Sequence, residues 1–201
     1  AVNTVKNVNG KLKGYNTDAE GFTRDFKDSF DSGFTGKKVM LLGAGGTARA
    51  LSVKLASERV RQLVIVNRTL ENAQNIVELI KSNFGSIAEG IVPDAPEFTN
   101  EFQCSDIIIN TTPAGMSTYS AKTPFDYNFE FHKQQLVYDV IYTPEKTQFL
   151  KQAEERGCKI KNGFGMLVNQ GVSAFEIWTG MTVSKDTSLE LLNLLTKLKD
   201  L

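Results

Sequence analysis

One histidine, His132, and two cysteines, Cys104 and Cys158, are all that 201 residues offer of the commonest metal ligands. Two isolated cysteines are too few for a disulfide framework, and no Cys/His cluster has the spacing of a zinc site. Charge of one sign is not in excess either: 23 Lys+Arg offset 23 Asp+Glu, for a formal net charge of zero. A general nucleic-acid binder or a polybasic membrane module needs a cationic surplus to neutralise phosphates, so neither is expected. Long apolar runs are missing as well. The longest, residues 39–42 and 63–66, fall far short of the ~20 residues of a membrane span, and no basic-then-apolar export signal opens the chain. What is present is 41% hydrophobic and 23% charged, a globular balance that excludes disorder as a description of the whole. The composition predicts a reduced, cytoplasmic, soluble protein of one sizeable domain, or one and a fraction.

Turn and periodicity signals divide the chain. Asn9-Gly10, between residues 4–8 and 12–14, predicts a type I′ hairpin. Asp18 reads as the N-cap of a helix over 19–28, with Phe22, Phe26 and Phe30 repeating along one face. The turn-rich stretch 30–36 predicts a domain boundary. From Lys37 onward, strand and helix alternate. Strands are expected at 39–42, 63–66, 106–110 and 136–140, and helices over 46–57 and 70–81, the second on the spacing of Leu70, Ala73, Val77 and Ile80. Residues 86–104 read as one strand and one short helix. Runs apolar on both faces and separated by helices are what a parallel sheet covered on both sides requires. After Gly163 two helices are expected, over 166–179 and 186–201.

The segment Gly43-Ala44-Gly45-Gly46-Thr47-Ala48 follows the first of these strands and opens a helix. It fits the dinucleotide pattern G-x-G-x-x-[GA]. Gly43 serves the tight turn, Gly45 lets main chain approach a pyrophosphate, and Ala48 is small enough for close helix–strand packing. Free backbone N–H groups at the helix start favour phosphates. The next strand ends in Val66-Asn67-Arg68-Thr69, without the acid that would hold a ribose 2′-hydroxyl. A carboxylate there would repel a 2′-phosphate, whereas the Arg68 guanidinium suits one. The expected cofactor is therefore NADP. Arg68 on a solvated loop, and Thr69 as a helix cap, is the competing account.

Hydride transfer still needs an acid/base within hydrogen-bond reach of the substrate oxygen. His132 lies in the polar run Phe131-His132-Lys133-Gln134-Gln135 and reads as a surface-loop residue. Asp18, in Gly14-Tyr15-Asn16-Thr17-Asp18, is one candidate, although capping accounts equally for its position. Tyr142 and Gln170 are further polar side chains that spacing alone does not promote.

At this level of detail the sequence resembles shikimate dehydrogenases over nearly its whole length. The resemblance rests on Ala1-Val2-Asn3-Thr4, the Asn16-Thr17-Asp18 element with Gly21, the glycine loop, and Asn67-Arg68-Thr69. It continues through Asn110-Thr111-Thr112-Pro113-Ala114-Gly115-Met116, Tyr138-Asp139-Val140-Ile141-Tyr142 with Lys146-Thr147, and Gly163-Phe164-Gly165-Met166-Leu167-Val168 with Gln170. That family reduces 3-dehydroshikimate to shikimate with NADPH, on the way to chorismate and the aromatic amino acids. The resemblance implies Asn3, Asp18, Tyr142 and Gln170 at the substrate, Asp18 being half of a catalytic Lys–Asp pair. It implies Asn67, Arg68 and Thr69 at the 2′-phosphate, Asn110, Thr111 and Thr112 along the cofactor groove, and Val140 and Gly163 near the nicotinamide.

The implied fold is α/β: a Rossmann-type doubly wound parallel sheet over 33–161. A substrate-domain remnant and hinge helix (1–32) would precede it, and C-terminal helices (162–201) would return to that domain. Two departures stand out. Where the family often has a second arginine after Asn-Arg-Thr, this chain has Leu70-Glu71-Asn72, which implies a weaker NADP preference. The family's catalytic lysine and substrate-binding serines lie upstream of the position where this sequence starts. The chain is therefore expected to be a truncated enzyme that binds NADP with little turnover, its apolar C-terminal face (Met166, Leu167, Phe175, Ile177, Trp178) covered by the hairpin or by a second copy in a homodimer. A quinate/shikimate dehydrogenase using NAD(P), and a non-catalytic dinucleotide-binding module, are the alternatives.

Overall fold

A computed structural model describes residues 2–116 and 121–199. Ala1 of the first motif and the last two residues of the predicted final helix lie outside the described residues. Strands β1 (Thr4–Val8) and β2 (Lys11–Tyr15) form an antiparallel hairpin. Its turn residues Asn9 and Gly10 take φ of 51° and 83°, the positive pair that a type I′ turn demands.

Helix α1 (Asp18–Phe30) follows, with Phe22, Phe26 and Phe30 buried along one face. Its start corrects the sequence reading. Asp18 is the first helical residue, not the cap; Thr17 holds the cap position, with no side-chain cap bond. The two side chains are engaged elsewhere: Asp18 Oδ1 accepts from Asn3 Nδ2 at 2.8 Å, and the Thr17 hydroxyl lies 3.2 Å from Asn3 Oδ1.

The remainder is β3 (Lys38–Leu42), α2 (Gly46–Ser57), β4 (Gln62–Val66), α3 (Leu70–Phe84), β5 (Ala88–Ile91), α4 (Phe98–Gln103), β6 (Ile107–Asn110), a 3-10 turn (Pro124–Asp126), β7 (Leu136–Asp139), α5 (Gln148–Glu155), β8 (Lys159–Asn162), α6 (Phe164–Thr179) and α7 (Lys185–Lys199). The six strands from β3 to β8 make one parallel sheet in the order β5-β4-β3-β6-β7-β8. This is the expected doubly wound Rossmann-type architecture, and the strand order reverses between β3 and β6, where such sheets open a ligand crevice.

Alternation along the strands builds two cores. Val39, Leu41, Leu63, Ile65, Ile107 and Ile109 face α1, α2 and α3, joining Phe22, Phe26, Leu51, Leu55 and Ile76. Met40, Leu42, Val64, Val66, Ile108 and Val137 face the other way, against Phe98 and Phe102 of α4 and Phe149 and Leu150 of α5. The α3 stripe differs from its predicted spacing: Ala73, Ile76 and Ile80 are buried, and Leu70 stays 43% exposed at the helix's first position. Elements α5 and β8 were not legible. In β8 the single apolar residue, Ile160, is flanked by Lys159, Lys161 and Asn162, a polar composition suited to a sheet edge.

Helix α6 packs along α1. The approach is close at Gly21, where a Cβ would lie 2.6 Å from both Met166 O and Gln170 N. Of the apolar C-terminal residues, Met166 is buried in the first core, while Trp178 Nε1 donates to Val5 O at 3.0 Å and Lys6 Nζ to Ile177 O. The hairpin thus covers part of this face, and Leu167 and Phe175 line an apolar groove toward Leu191 and Leu195 of α7.

Candidate functional site: a nucleotide groove beside a polar cluster

The carboxyl ends of β3, β4 and β6 surround a groove of about 450 Å³ lined by Gly43, Ala44, Gly45, Asn67, Arg68 and the segment from Thr111 to Ala114. Each group hangs from a strand end. Gly43 leaves β3 with φ of 109°, and a Cβ there would sit 2.9 Å from Thr111 Oγ1, so glycine is required both by conformation and by space. At Gly45 and Gly46 a Cβ would meet nothing within 4 Å. The main chain there faces open space, as a pyrophosphate cradle requires. Ala48 is fully buried and serves helix–strand packing, while Thr47 occupies the first turn of α2.

Asn67 and Arg68 follow β4, and Asn67 Nδ2 donates to Thr69 O at 2.9 Å, which shapes the turn into α3. Thr69 stands at the α3 cap position, but its side chain makes no cap bond. Arg49, Asn72 and Asn75 line a smaller recess with Ala44, Gly45 and Gly46, directly beside the groove. The place of the family's second arginine therefore opens toward another arginine.

The structure puts Asn110 beneath the groove rather than on its surface. It is fully buried, and its Oδ1 accepts from Thr112 N (2.9 Å) and Thr112 Oγ1 (2.7 Å), which sets the loop that follows. Thr111 Oγ1 donates to Leu42 O at 2.8 Å. An adjoining recess is formed by Thr111, Thr112, Pro113, Met116, Val140, Ile141, Tyr142 and Thr143, so Val140 and Tyr142 line a space that shares Thr111, Thr112 and Pro113 with the groove. Gly163 is packed against the main chain, where a Cβ would lie 2.0 Å from Val140 O.

The far wall of the groove was missed. Lys122, Thr123, Phe125 and Asp126 line it, with Phe125 and Asp126 at φ of 60° and 55°. Backbone in this region is uncommon for a bulky residue and clusters at functional sites.

The remaining predicted residues form a second cluster. Asn3 Oδ1 accepts from Thr17 N at 3.0 Å, Asn3 Nδ2 donates to Asp18, and the Thr17 hydroxyl lies 3.3 Å from Gln170 Oε1. Asn3 on the hairpin lead-in, Asp18 on α1 and Gln170 on α6 are thus brought together across 167 residues of sequence. Among the described residues no lysine forms an ion pair with Asp18. His132 lies away from both clusters, its ring nitrogens at 3.0 Å from Gln134 Oε1 and Gln103 O. Among the described residues no group of three or more His, Cys, Asp or Glu could hold a metal ion, and no helix is long and apolar enough to cross a membrane.

Sequence and structure comparisons agree with this geometry. The family model described as shikimate / quinate 5-dehydrogenase matches residues 26–138, and that of the shikimate 5′-dehydrogenase C-terminal domain matches 163–190. The chain belongs to the shikimate/quinate 5-dehydrogenase family. Among curated relatives, the protein named shikimate dehydrogenase (NADP(+)) from Methanopyrus kandleri is 41% identical over 180 residues, covering 90% of this chain and 62% of that one. The crystal structure of shikimate 5-dehydrogenase from Listeria monocytogenes, in complex with shikimate and NAD, is 37% identical with a TM-score of 0.87. It covers 96% of this chain and 68% of that one. Quinate dehydrogenase from Corynebacterium glutamicum, in complex with NAD, is 29% identical with a TM-score of 0.82, covering 94% and 66%. The chain spans less than two thirds of the length of these curated relatives, at 62% to 65%.

Proposed function

We propose that this chain is the cofactor-binding part of an NADP-dependent shikimate dehydrogenase, which interconverts 3-dehydroshikimate and shikimate. Residues 33–161 act as the nucleotide domain, and 1–32 with 162–201 carry the substrate-facing cluster. The observation that carries this reading is the groove itself. An open glycine main chain and an arginine, with no acid at the end of β4, sit at the strand-order reversal of a parallel sheet.

The residues present fit a dinucleotide. When bound, NADPH supplies the hydride. Gly43, Gly45, Gly46 and Thr47 hold the pyrophosphate through main-chain amides, and Asn67, Arg68 and Thr69 hold the 2′-phosphate. Thr111, Thr112, Val140 and Tyr142 order the nicotinamide end. Asn3 and Gln170 orient the hydroxylated ring, and Asp18, the carboxylate of that cluster, takes the acid–base role at the substrate oxygen.

Calorimetric titration of the chain with NADP⁺ and NAD⁺ tests the reading. NADP⁺ is expected to bind about tenfold tighter or more. Equal affinities remove the NADP assignment, and failure to bind either removes the function. Quinate oxidation with NAD⁺ is a second reading, favoured by the likeness to the Corynebacterium quinate dehydrogenase. Faster turnover of quinate than of shikimate would transfer the assignment to it.

A further inference from the structure

Asp139 ends β7 and is fully buried, yet its carboxylate bonds to three segments, two that line the groove or the recess beside it and one that packs behind the loop at Gly115. Oδ1 accepts from Asn110 Nδ2 at 2.9 Å and from Ile141 N at 3.0 Å, while Oδ2 accepts from Thr147 Oγ1 at 2.6 Å. Each partner controls a different piece of wall. Asn110 holds the following loop through Thr112 N and Oγ1. Ile141 belongs to the stretch 140–143, which faces that loop across the recess. Thr147 caps α5 through Leu150 N, and its methyl packs at Gly115, where a Cβ would lie 3.0 Å away. Asp139, Asn110 and Thr147 have no exposed surface, so none of them can be a surface contact for a ligand.

We propose that Asp139 is the positioning residue of this recess: by tying loop 111–116 to segment 140–143, it sets the affinity of the nicotinamide-bearing half of the cofactor without touching it. The inference rests on the cofactor reading of the groove. The adenosine half would meet Gly43, Gly45, Asn67 and Arg68, carried on β3 and β4, two and three strands away from β7. The two halves of the ligand therefore report on Asp139 separately. Asparagine can replace the acid in kind, since its oxygen accepts from Asn110 and Ile141 and its NH₂ donates to Thr147 Oγ1.

The test is calorimetric titration of the 201-residue chain with NADP⁺ and with 2′,5′-ADP, which carries the adenosine half alone. Asp139→Ala and Thr147→Val are expected to weaken NADP⁺ by about tenfold or more while changing 2′,5′-ADP by less than about twofold, and Asp139→Asn to keep both affinities. Variants that lose both ligands alike, or neither, make Asp139 a purely structural residue and overturn the proposal. A wild-type chain that binds NADP⁺ no tighter than 2′,5′-ADP overturns it too, and leaves the adenosine end of the cofactor reading standing. Binding of neither ligand by the wild type overturns the cofactor reading and this inference together.

Discussion

The Tyr138 hydroxyl donates to Asp25 Oδ2 at 2.7 Å, joining strand β7 to helix α1 inside the core. The same carboxylate lies 3.5 Å from Lys161 Nζ of β8 and 3.4 Å from the Ser29 hydroxyl, and it presses on Gly165 of α6. Burial raises the Asp25 carboxyl above its ordinary range, with Lys161 and Tyr138 pulling the other way, and pushes the Tyr138 phenol well above its own. One buried acid thus connects the helices that carry Asp18 and Gln170 to the sheet that carries the groove.

Tyr138→Phe removes the phenolic donor from a carboxylate that cannot reach water. It is expected to destabilise the chain by about 1–3 kcal/mol in urea unfolding. An unchanged midpoint would mean that Lys161 and Ser29 satisfy Asp25 without it.

Gly21→Ala places a methyl 2.6 Å from the main chain of α6. Alanine gains about 1 kcal/mol of helix propensity, but neither backbone can yield locally, so the helices must separate. A net loss of about 1–3 kcal/mol is expected, with Thr17 drawn away from Gln170. Thermal melts check the first effect and a crystal structure of the variant the second. A variant more stable than wild type would show that the contact relaxes freely.

Arg68→Ala removes a guanidinium whose worth to a 2′-phosphate, by analogy with other charge-assisted bonds, is about 1.5–3 kcal/mol. NADP⁺ affinity is expected to fall roughly 10- to 100-fold and NAD⁺ affinity to hold. If both stay level, Arg49 or Lys122, which border the same space, carries the charge recognition instead.

Asp139 sets a pH dependence of stability. Burial lifts its carboxyl to about 7 from the usual 3.8. The folded chain thus binds this proton more tightly than the unfolded chain. The group's favourable contribution is complete below pH 3.8 and is lost as pH rises through about 7. At 1.36 kcal/mol per pH unit, the loss is at most about 4 kcal/mol. Asp139→Asn is expected to flatten that segment of the stability curve. A constant difference between wild type and variant from pH 4 to 8 would show that the acid titrates normally.

The parallel sheet could be read because its strands are apolar on both faces and its first loop is rich in glycine; residues 46–57 even match α2 end to end. The edge was not readable. Strand β8 carries one apolar residue, and α5 is eight residues long with only Phe149, Leu150 and Ala153 buried, so neither stood out by periodicity. The start of α1 was misread because a long-range contact from Asn3 claimed the Asp18 carboxylate, which local pattern cannot show. The meeting of Asn3, Asp18 and Gln170 followed from resemblance alone, and Phe125 was invisible because its role depends on where an irregular loop lands. Asp139 read only as one residue of the strand 136–140 and of the motif from Tyr138 to Tyr142; its burial among three hydrogen-bond donors is a product of the tertiary fold.

All six strands of the large sheet point the same way, so the turns at their amino ends gather on the rim remote from the groove. The exposed Gly85-Ser86 turn before β5 is one of them. Inserted sequence, a tag or a proteolytic nick at that rim leaves the opposite edge undisturbed. The fold thereby separates the surface that is free to diverge from the one that must keep its shape.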